Sequence, residues 1–462
     1  MKKLFITILS LSTLMVSLNS CRDEVLDPTL TTSKELDDAI NNVNDVKAII
    51  AGGYGRMTSS SYYGRDYIIY GEVRSDNTYA NGNTNRFTAP ASFSMNIEDG
   101  DALSAWTQMY RVVASANLVI SKEGDASIEG DQTALKQYVG EAYAMRAIAH
   151  FDLARLFGQY YVNNGGMSSL GVPYVKVVLD PNALYPTRNT MQEVYDSIMQ
   201  DLDKSISLMT QDRGAYYLSK TAAYALKSRV ALYFEKYAEA KTAALEVINA
   251  GTHSIVEAND FGKVFSQDAS SSPDVIFAMA NNPTDNPGIN GLANIYRGNS
   301  YADISVLDDL YNAYGPLDVR RGMISTSAPY QNLGKYPDNL NFADDIPLIR
   351  YEEVVLNYAE ALLKTGNAAD ALTWLNKVPA KRQAFPYPAA TMENILKERR
   401  LELAFEGFRG FDLIRTNAGI PLVDPVNQTF TAAIPAGDYK LAFPIPNAEM
   451  GANSNMVQNA GY

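Results

Sequence analysis

Apolar residues recur at spacings of three and four through most of the chain, which predicts a mainly α-helical protein. ALSAWTQMYRVVASANLVISK places Leu103, Trp106, Tyr110, Val113, Asn117 and Ile120 on one stripe. KQYVGEAYAMRAIAHFDLARLFG does the same with Tyr143, Ala147, Phe151, Ala154 and Phe157, and Gly158 stands as its C-cap. VNDVKAIIAGGYGRM predicts a helix capped by Asn44. TMQEVYDSIMQDLDKSISLM opens on a capping box, Thr190 to Glu193.

Two later stretches each divide into a helix pair. KTAAYALKSRVALYFEKYAEAKTAALEVINAG breaks near Glu235-Lys236, and YEEVVLNYAEALLKTGNAADALTWLNKV breaks at Gly366-Asn367. Alanines recur at turn spacing in both: Ala238, Ala240 and Ala244, then Ala359, Ala361, Ala368 and Ala371. Small side chains there let paired helices approach closely. LLKTGNAADALTWLNKV resembles the tetratricopeptide repeat. Long irregular stretches, 159–187 and 281–347, separate the units, so the pattern predicts a broken helical scaffold whose loops hold the function.

The start of the chain changes the picture. Lys2 and Lys3 precede an apolar run, Leu4 to Val16, and Leu18-Asn19-Ser20 lead into Cys21. That layout over residues 1–20 is a secretory signal peptide, too short for a membrane span. Leu-Asn-Ser-Cys resembles the lipobox of bacterial lipoproteins, which implies that Cys21 becomes the lipidated first residue, anchored in a lipid bilayer. It is the only cysteine, so none is left for disulfides or thiol catalysis. Arg22-Asp23-Glu24 resembles the surface-export signal of Bacteroidetes lipoproteins, and 21–33 reads as a tether.

Apolar content of 46% with 20% charged residues is ordinary globular composition. A net charge of -13 argues against nucleic acid. His150 and His253 lack metal-like spacing, no nucleophile has a partnered base, and AGGYG follows helical residues rather than a strand. No metal site or cofactor is expected. In KERRLELAFEGFRGFD, Glu398, Glu402, Glu406 and Asp412 raise the question of a two-carboxylate glycosidase. The glutamates repeat every four residues, with Arg399 three before Glu402 and Arg409 three after Glu406. This spacing predicts a structural ion-pair ladder instead. Asp318, Arg320 and Arg321 in DVRRGM, and Glu72, Arg74 and Asp76 in GEVRSDN, read as scaffold too.

LIRYEEVVLNYAEALLKTGN, ILKERRLELAFEGFRGFDLIRT and FPIPNAEMGANSNMVQNAGY follow in order. With EAYAMRAIAHFDLARLFG and the leader ending in Cys21, they resemble the SusD/RagB family across essentially the whole mature chain. The resemblance implies a mainly α fold of four degenerate tetratricopeptide-like helix pairs, with a loop-rich irregular face and few short strands. One domain spans 34–462, its parts meeting near 215/216, with a variable insertion at 281–347. It further implies an outer-membrane lipoprotein facing the extracellular side. Such a protein binds oligosaccharides without altering them and delivers them to a SusC-like TonB-dependent barrel. The RagB branch implies a peptide ligand instead, and a structural adaptor without a small ligand is the other reading.

Sugars are bound by aromatic faces together with amide, carboxylate and guanidinium groups. Thirty tyrosines stand against two histidines and two tryptophans, and part of that excess is core packing. Two loop stretches carry the sugar-binding mixture: Tyr62, Tyr63, Tyr67, Tyr79, Asn81, Asn83 and Arg86 in the first, and Asn290, Tyr296, Arg297, Asn299 and Tyr301 in the second. All are candidate ligand contacts.

Overall fold

The computed structural model describes residues 40–178, 184–266, 268–297 and 300–462. The leader, Cys21, the tether and Asn299 lie outside them.

The helices, in chain order, begin with α1 (Val43–Met57), α2 (Asp66–Val73), α3 (Thr88–Ser92), α4 (Gly100–Ile120) and α5 (Gln132–Phe157). Next come α6 (Met191–Leu208), α7 (Lys220–Tyr233), α8 (Tyr237–Ala250), α9 (Leu292–Arg297) and α10 (Asp308–Ala313). The last are α11 (Tyr351–Lys364), α12 (Ala368–Leu375), α13 (Lys377–Ala380), α14 (Met392–Glu402), α15 (Arg409–Arg415) and α16 (Asn447–Ala452). Eight of them pack in succession: α1 on α4, α4 on α5, α5 on α6, α6 on α7, α7 on α8, α8 on α11, and α11 on α12. The result is four consecutive helix pairs. Ala240, Ala244, Ala359, Ala361 and Ala371 are fully buried and admit the close approach, whereas Ala238 and Ala368 face outward.

Local signals are largely where the chain puts them. The Thr190–Glu193 capping box forms. At α1 the cap is Asn42, not Asn44: the Asn42 side chain accepts from the amides of Asn44 and Asp45, and the Asp45 carboxylate takes the Asn42 amide. Two asparagines two positions apart offer the same sequence signal, and the reciprocal acid three residues on selects the first. Leu103 is 39% exposed and leaves the predicted stripe, because α4 is buried by α1 on one flank and α5 on the other, and Ala102, Ala105 and Met109 take the inner positions.

Strands are few and short. β1 (Thr78–Ala80) pairs antiparallel with β3 (Ile304–Val306) in the register Thr78↔Val306, Tyr79↔Ser305, Ala80↔Ile304. β2 (Val275–Met279) pairs antiparallel with β4 (Ile346–Arg350), and both are buried throughout. The first pairing carries the functional argument, because it clamps two loops more than two hundred residues apart.

Charge runs through the interior. Arg320, Arg350 and Arg382 are among the largest fully buried side chains. Glu402 accepts from all three: from Arg320 Nη1 at 3.1 Å, from Arg350 Nη1 at 3.1 Å, and from Arg382 Nε and Nη2 at 2.9 Å. Glu398 pairs with Arg320, and Glu406 with Arg350 and Lys335. The glutamates are thus structural, but their partners are not the helix-local arginines that the spacing suggested. Arg399 reaches Asp412 and Asn357, and Arg409 reaches Asp76. The reason is burial: with its carboxylates out of water, α14 needs cations aimed at it from neighbouring elements.

Two segments touch backbone to backbone. A Cβ on Gly71 in α2 would lie 2.1 Å from the Gly407 carbonyl oxygen, and Gly407 itself has φ +83. Glycine is required on both sides. The Gly407 amide donates to buried Glu72 at 2.8 Å, and Arg74 lies over the rings of Phe93 and Phe443 at 4.3 and 4.9 Å.

Candidate functional site

Four of the predicted ligand contacts are core residues. Tyr62, Tyr63 and Tyr67 are 0%, 3% and 3% exposed, and all three hydroxyls donate to one carboxylate, Asp152 on α5. Burial first, with the Asp152 charge adding to it, holds their phenols well above the ordinary tyrosine pKa, so they remain donors. They satisfy a buried acid that Arg155 also pairs. Tyr296 is likewise sealed, against Tyr336 and Phe405. None of the four presents a face to a ligand.

The remaining candidates stay at or near the surface, and most of them meet. β1 leads directly into Asn81, whose amide donates to the Asp303 carbonyl at 2.9 Å, extending the β1–β3 ladder. The Asn81 side chain donates to the Ala302 carbonyl at 2.6 Å and the Ser305 hydroxyl at 3.0 Å. Asn83 donates to the Tyr301 carbonyl, and Thr84 donates through its amide and hydroxyl to Asp303 Oδ1 at 2.8 and 2.7 Å. The Arg86 guanidinium lies 3.7 Å over the Tyr301 ring, and its Nη2 reaches Asn290 Oδ1 at 3.4 Å. Arg65 donates to the Asn290 carbonyl at 3.3 Å. Between Arg86 Nη1 and Asp303 Oδ2 the gap is 4.0 Å, and neither atom has a hydrogen-bond partner among the described residues.

This loop is held in uncommon backbone geometry. Asn85, Phe87 and Ala302 have φ of 61, 59 and 44°, left-handed values that non-glycine residues seldom adopt. Tyr79 is half-buried on β1, opposite Ser305. Arg297 does not join: its guanidinium donates to the Leu333 carbonyl. Sequence reasoning missed Arg65, Thr84 and Asp303, and also a half-buried stack of Tyr311 on Tyr330, at 4.1 Å and 17°, with Arg321 4.5 Å over Tyr311. Tyr330 is bridged to Val306, so this second aromatic group hangs from the far end of β3.

A separate groove of about 500 Å³ lies between α4 and the described residues 173–177 and 184–186, walled by Trp106, Tyr110, Val177 and Leu184. Its aromatic polar atoms are already spent: the Trp106 indole donates to Glu449 and the Tyr110 hydroxyl to the Pro173 carbonyl. Elsewhere, Glu398, Glu402 and Glu406 are buried and paired with arginines and lysine. His150 is buried and stacked 3.8 Å on Tyr174, and burial pushes its pKa down to about 3. Among the described residues no cluster of His, Cys, Asp and Glu is arranged to hold a metal, and no helix is long and apolar enough to cross a membrane.

Comparison with known proteins identifies the family and the fold. A SusD-like family described as starch-binding and associating with the outer membrane matches residues 30–232, and the SusD family matches residues 332–462. The SusD-like protein P38 of Formosa agariphila is 25% identical over 92% of this chain and 94% of its own. A solved protein from Bacteroides vulgatus ATCC 8482 is 31% identical, with a TM-score of 0.82 over 92% of this chain and 99% of that one. A solved SusD superfamily protein from Bacteroides thetaiotaomicron VPI-5482 is 28% identical, with a TM-score of 0.83 over 90% and 99%. The succession of helix pairs, the short strands and these matches lead to one conclusion: the chain belongs to the SusD/RagB family of glycan-binding proteins associated with the outer membrane.

Proposed function

We propose that this protein is a cell-surface lipoprotein that binds an oligosaccharide on the surface built by Asn81, Asn83 and Arg86 with Asn290 and Tyr301. It then delivers the sugar, chemically unchanged, to a SusC-like TonB-dependent barrel. One observation carries the ligand half: two loops distant in sequence are fastened together so that Arg86 holds the Tyr301 ring flat amid amide and guanidinium groups. That is the mixture a sugar ring and its hydroxyls require. The stacked Tyr311 and Tyr330, at the other end of β3, extend the surface for a longer chain. In this reading Cys21 carries the lipid, 21–33 is the tether, 34–462 is one folded unit, and the protein faces the medium.

Calorimetry with a panel of soluble glycans and a panel of peptides tests the ligand. Tyr301→Ala removes the stacking ring and is expected to weaken glycan binding by about 1 kcal/mol, roughly fivefold. Arg86→Ala should act in the same direction. Heat from peptides alone would replace the sugar with a peptide ligand, and no heat from either panel would leave an adaptor role. Extraction in mild detergent should recover the barrel with this protein, and Cys21→Ser should abolish labelling by radioactive palmitate. A lipoprotein that elutes alone beside an intact barrel would end the delivery claim.

A further inference from the structure

Two guanidiniums of the proposed sugar surface are answered by acids: Arg65 holds Asp66 at 2.5 Å, and Arg86 faces Asp303 across 4.0 Å. A third, at the Tyr311–Tyr330 end, is not. The DVRRGM spacing assigns Arg320 and Arg321 alike to the scaffold, and only Arg320 belongs there. Arg321, in the short helical turn Val319–Met323, has neither an ion pair nor a hydrogen-bond acceptor for its side chain among the described residues. The acids on its own turn and on α10 are committed or apart. Asp318 accepts from Arg320 with both carboxylate oxygens, at 2.9 and 2.8 Å, and Asp309 pairs with Arg400 at 2.7 Å. Asp308 is exposed and forms no ion pair with Arg321.

What seats Arg321 is aromatic. Its guanidinium lies 4.5 Å over the Tyr311 ring, on which Tyr330 stacks at 4.1 Å. Both rings are half-buried, so the group sits at the surface on a fixed base. Arg321 Nε is sealed from solvent, whereas Nη1 and Nη2 stay open to it. The free edge of the fork is therefore Nη1–Nη2, which matches the paired oxygens of an oxyanion. Tyr330 is bridged to Val306, and Val306 follows Tyr301 by five positions, at most about 18 Å of extended chain. An oligosaccharide of a few rings covers that distance.

We infer that Arg321 is a specificity-determining contact for an acidic sugar: the bound oligosaccharide carries an oxyanion, a uronate carboxylate or a sulfate ester, that pairs with the Nη1–Nη2 edge beside Tyr311 and Tyr330. This rests on the oligosaccharide reading above and narrows its substrate class. Charge decides between an oxyanion and a hydroxyl. A hydroxyl takes one N–H and leaves the guanidinium charge uncompensated, whereas an oxyanion takes two and cancels it. At Arg65 and Arg86 the charge is already met by Asp66 and Asp303, so those groups suit hydroxyls. The net charge of -13 does not oppose the pairing, because at physiological salt charges beyond about 8 Å are largely screened and the local balance governs.

The test is calorimetry on the mature chain without its lipid, with a panel of neutral, uronate-containing and sulfated oligosaccharides. Each uronate glycan is paired with its carboxyl-reduced form, in which the carboxylate has become a primary alcohol, and each sulfated glycan with its desulfated form. In a pair that binds, the acidic member should bind about tenfold more tightly at physiological salt, and added salt should erode that preference. The uronate and sulfate arms tell the two oxyanions apart. Arg321→Gln should bring the acidic-to-neutral ratio close to one, a readout that a merely structural role would not move. Should that variant not fold, the ratio and its salt dependence in the unaltered chain decide. Tyr301-dependent binding that is equal within every pair, binding confined to neutral glycans, or a preference that survives Arg321→Gln would overturn the inference and leave the oligosaccharide reading standing. No heat from any glycan would remove both.

Discussion

Replacing Gly71 by alanine sets two effects of opposite sign against each other. Gly71 lies inside α2, where alanine is favoured over glycine by about 1 kcal/mol through backbone entropy. Its Cβ would sit 2.1 Å from the Gly407 carbonyl oxygen and 2.5 Å from the carbonyl carbon. Both are backbone atoms, so no rotamer change relieves the contact. The two segments must part, which costs about 1–3 kcal/mol as overpacking. Parting them also stretches the buried bond from the Gly407 amide to Glu72, now 2.8 Å. Leaving that pair unmade costs a further 1–3 kcal/mol or so. The clash wins, and Gly71→Ala should lose about 1–5 kcal/mol net. Gly52 supplies the control: it lies in α1, is exposed, and its Cβ would meet nothing within 4 Å. Gly52→Ala should gain about 0.5–1 kcal/mol. Urea denaturation of both variants, compared at equal m-value, reads the difference. If Gly71→Ala proves as stable as the parent or more so, propensity has won and the backbone contact described above is wrong.

Further outcomes follow from the same contacts. Glu402→Gln turns one carboxylate oxygen into a donor facing two guanidiniums, and should cost about 3–5 kcal/mol in the same denaturation assay. Tyr62→Phe removes one donor from Asp152; it should lose about 1.5–3 kcal/mol of stability while leaving glycan affinity unchanged, and a fall in affinity would return Tyr62 to the ligand surface. His150 has a folded pKa of about 3 against 6.5 when free, so below pH 6.5 the unfolded chain takes up a proton that the folded chain refuses. Its contribution is complete above pH 6.5 and is lost as pH falls towards 3, amounting to about 5 kcal/mol. The stability–pH curve of His150→Gln should therefore be shallower over that window, and an unchanged slope would refute the burial argument.

Much of the helical layer is legible in the sequence, because α4 to α8, α11 and α12 carry their own periodicity, caps and turns. What the residues could not disclose is distance. Tyr62, Tyr63 and Tyr67 have the same composition signal whether they meet a sugar or an aspartate 85 to 90 positions away, and only the packing of α5 against them decides for Asp152. Glu402 is similar: its helix spacing points to Arg399 three positions before it, while its actual partners come from positions 320, 350 and 382. The convergence of Asn81 and Asn83 on Ala302 and Tyr301 depends on a strand pairing of three residues, too short to announce itself.

Three fasteners of that convergence grip main chain, whereas Ser305 and Asp303 are also held through their side chains. Asn81 and Asn83 hold the carbonyls of Ala302 and Tyr301, and the Asn81 amide holds that of Asp303. Carbonyls are present whatever residue carries them. Positions 301 and 302 can therefore change side chain by mutation while these bonds stay, so in the proposed reading a new ligand requires rewriting there and leaves Asp303 and Ser305 in place.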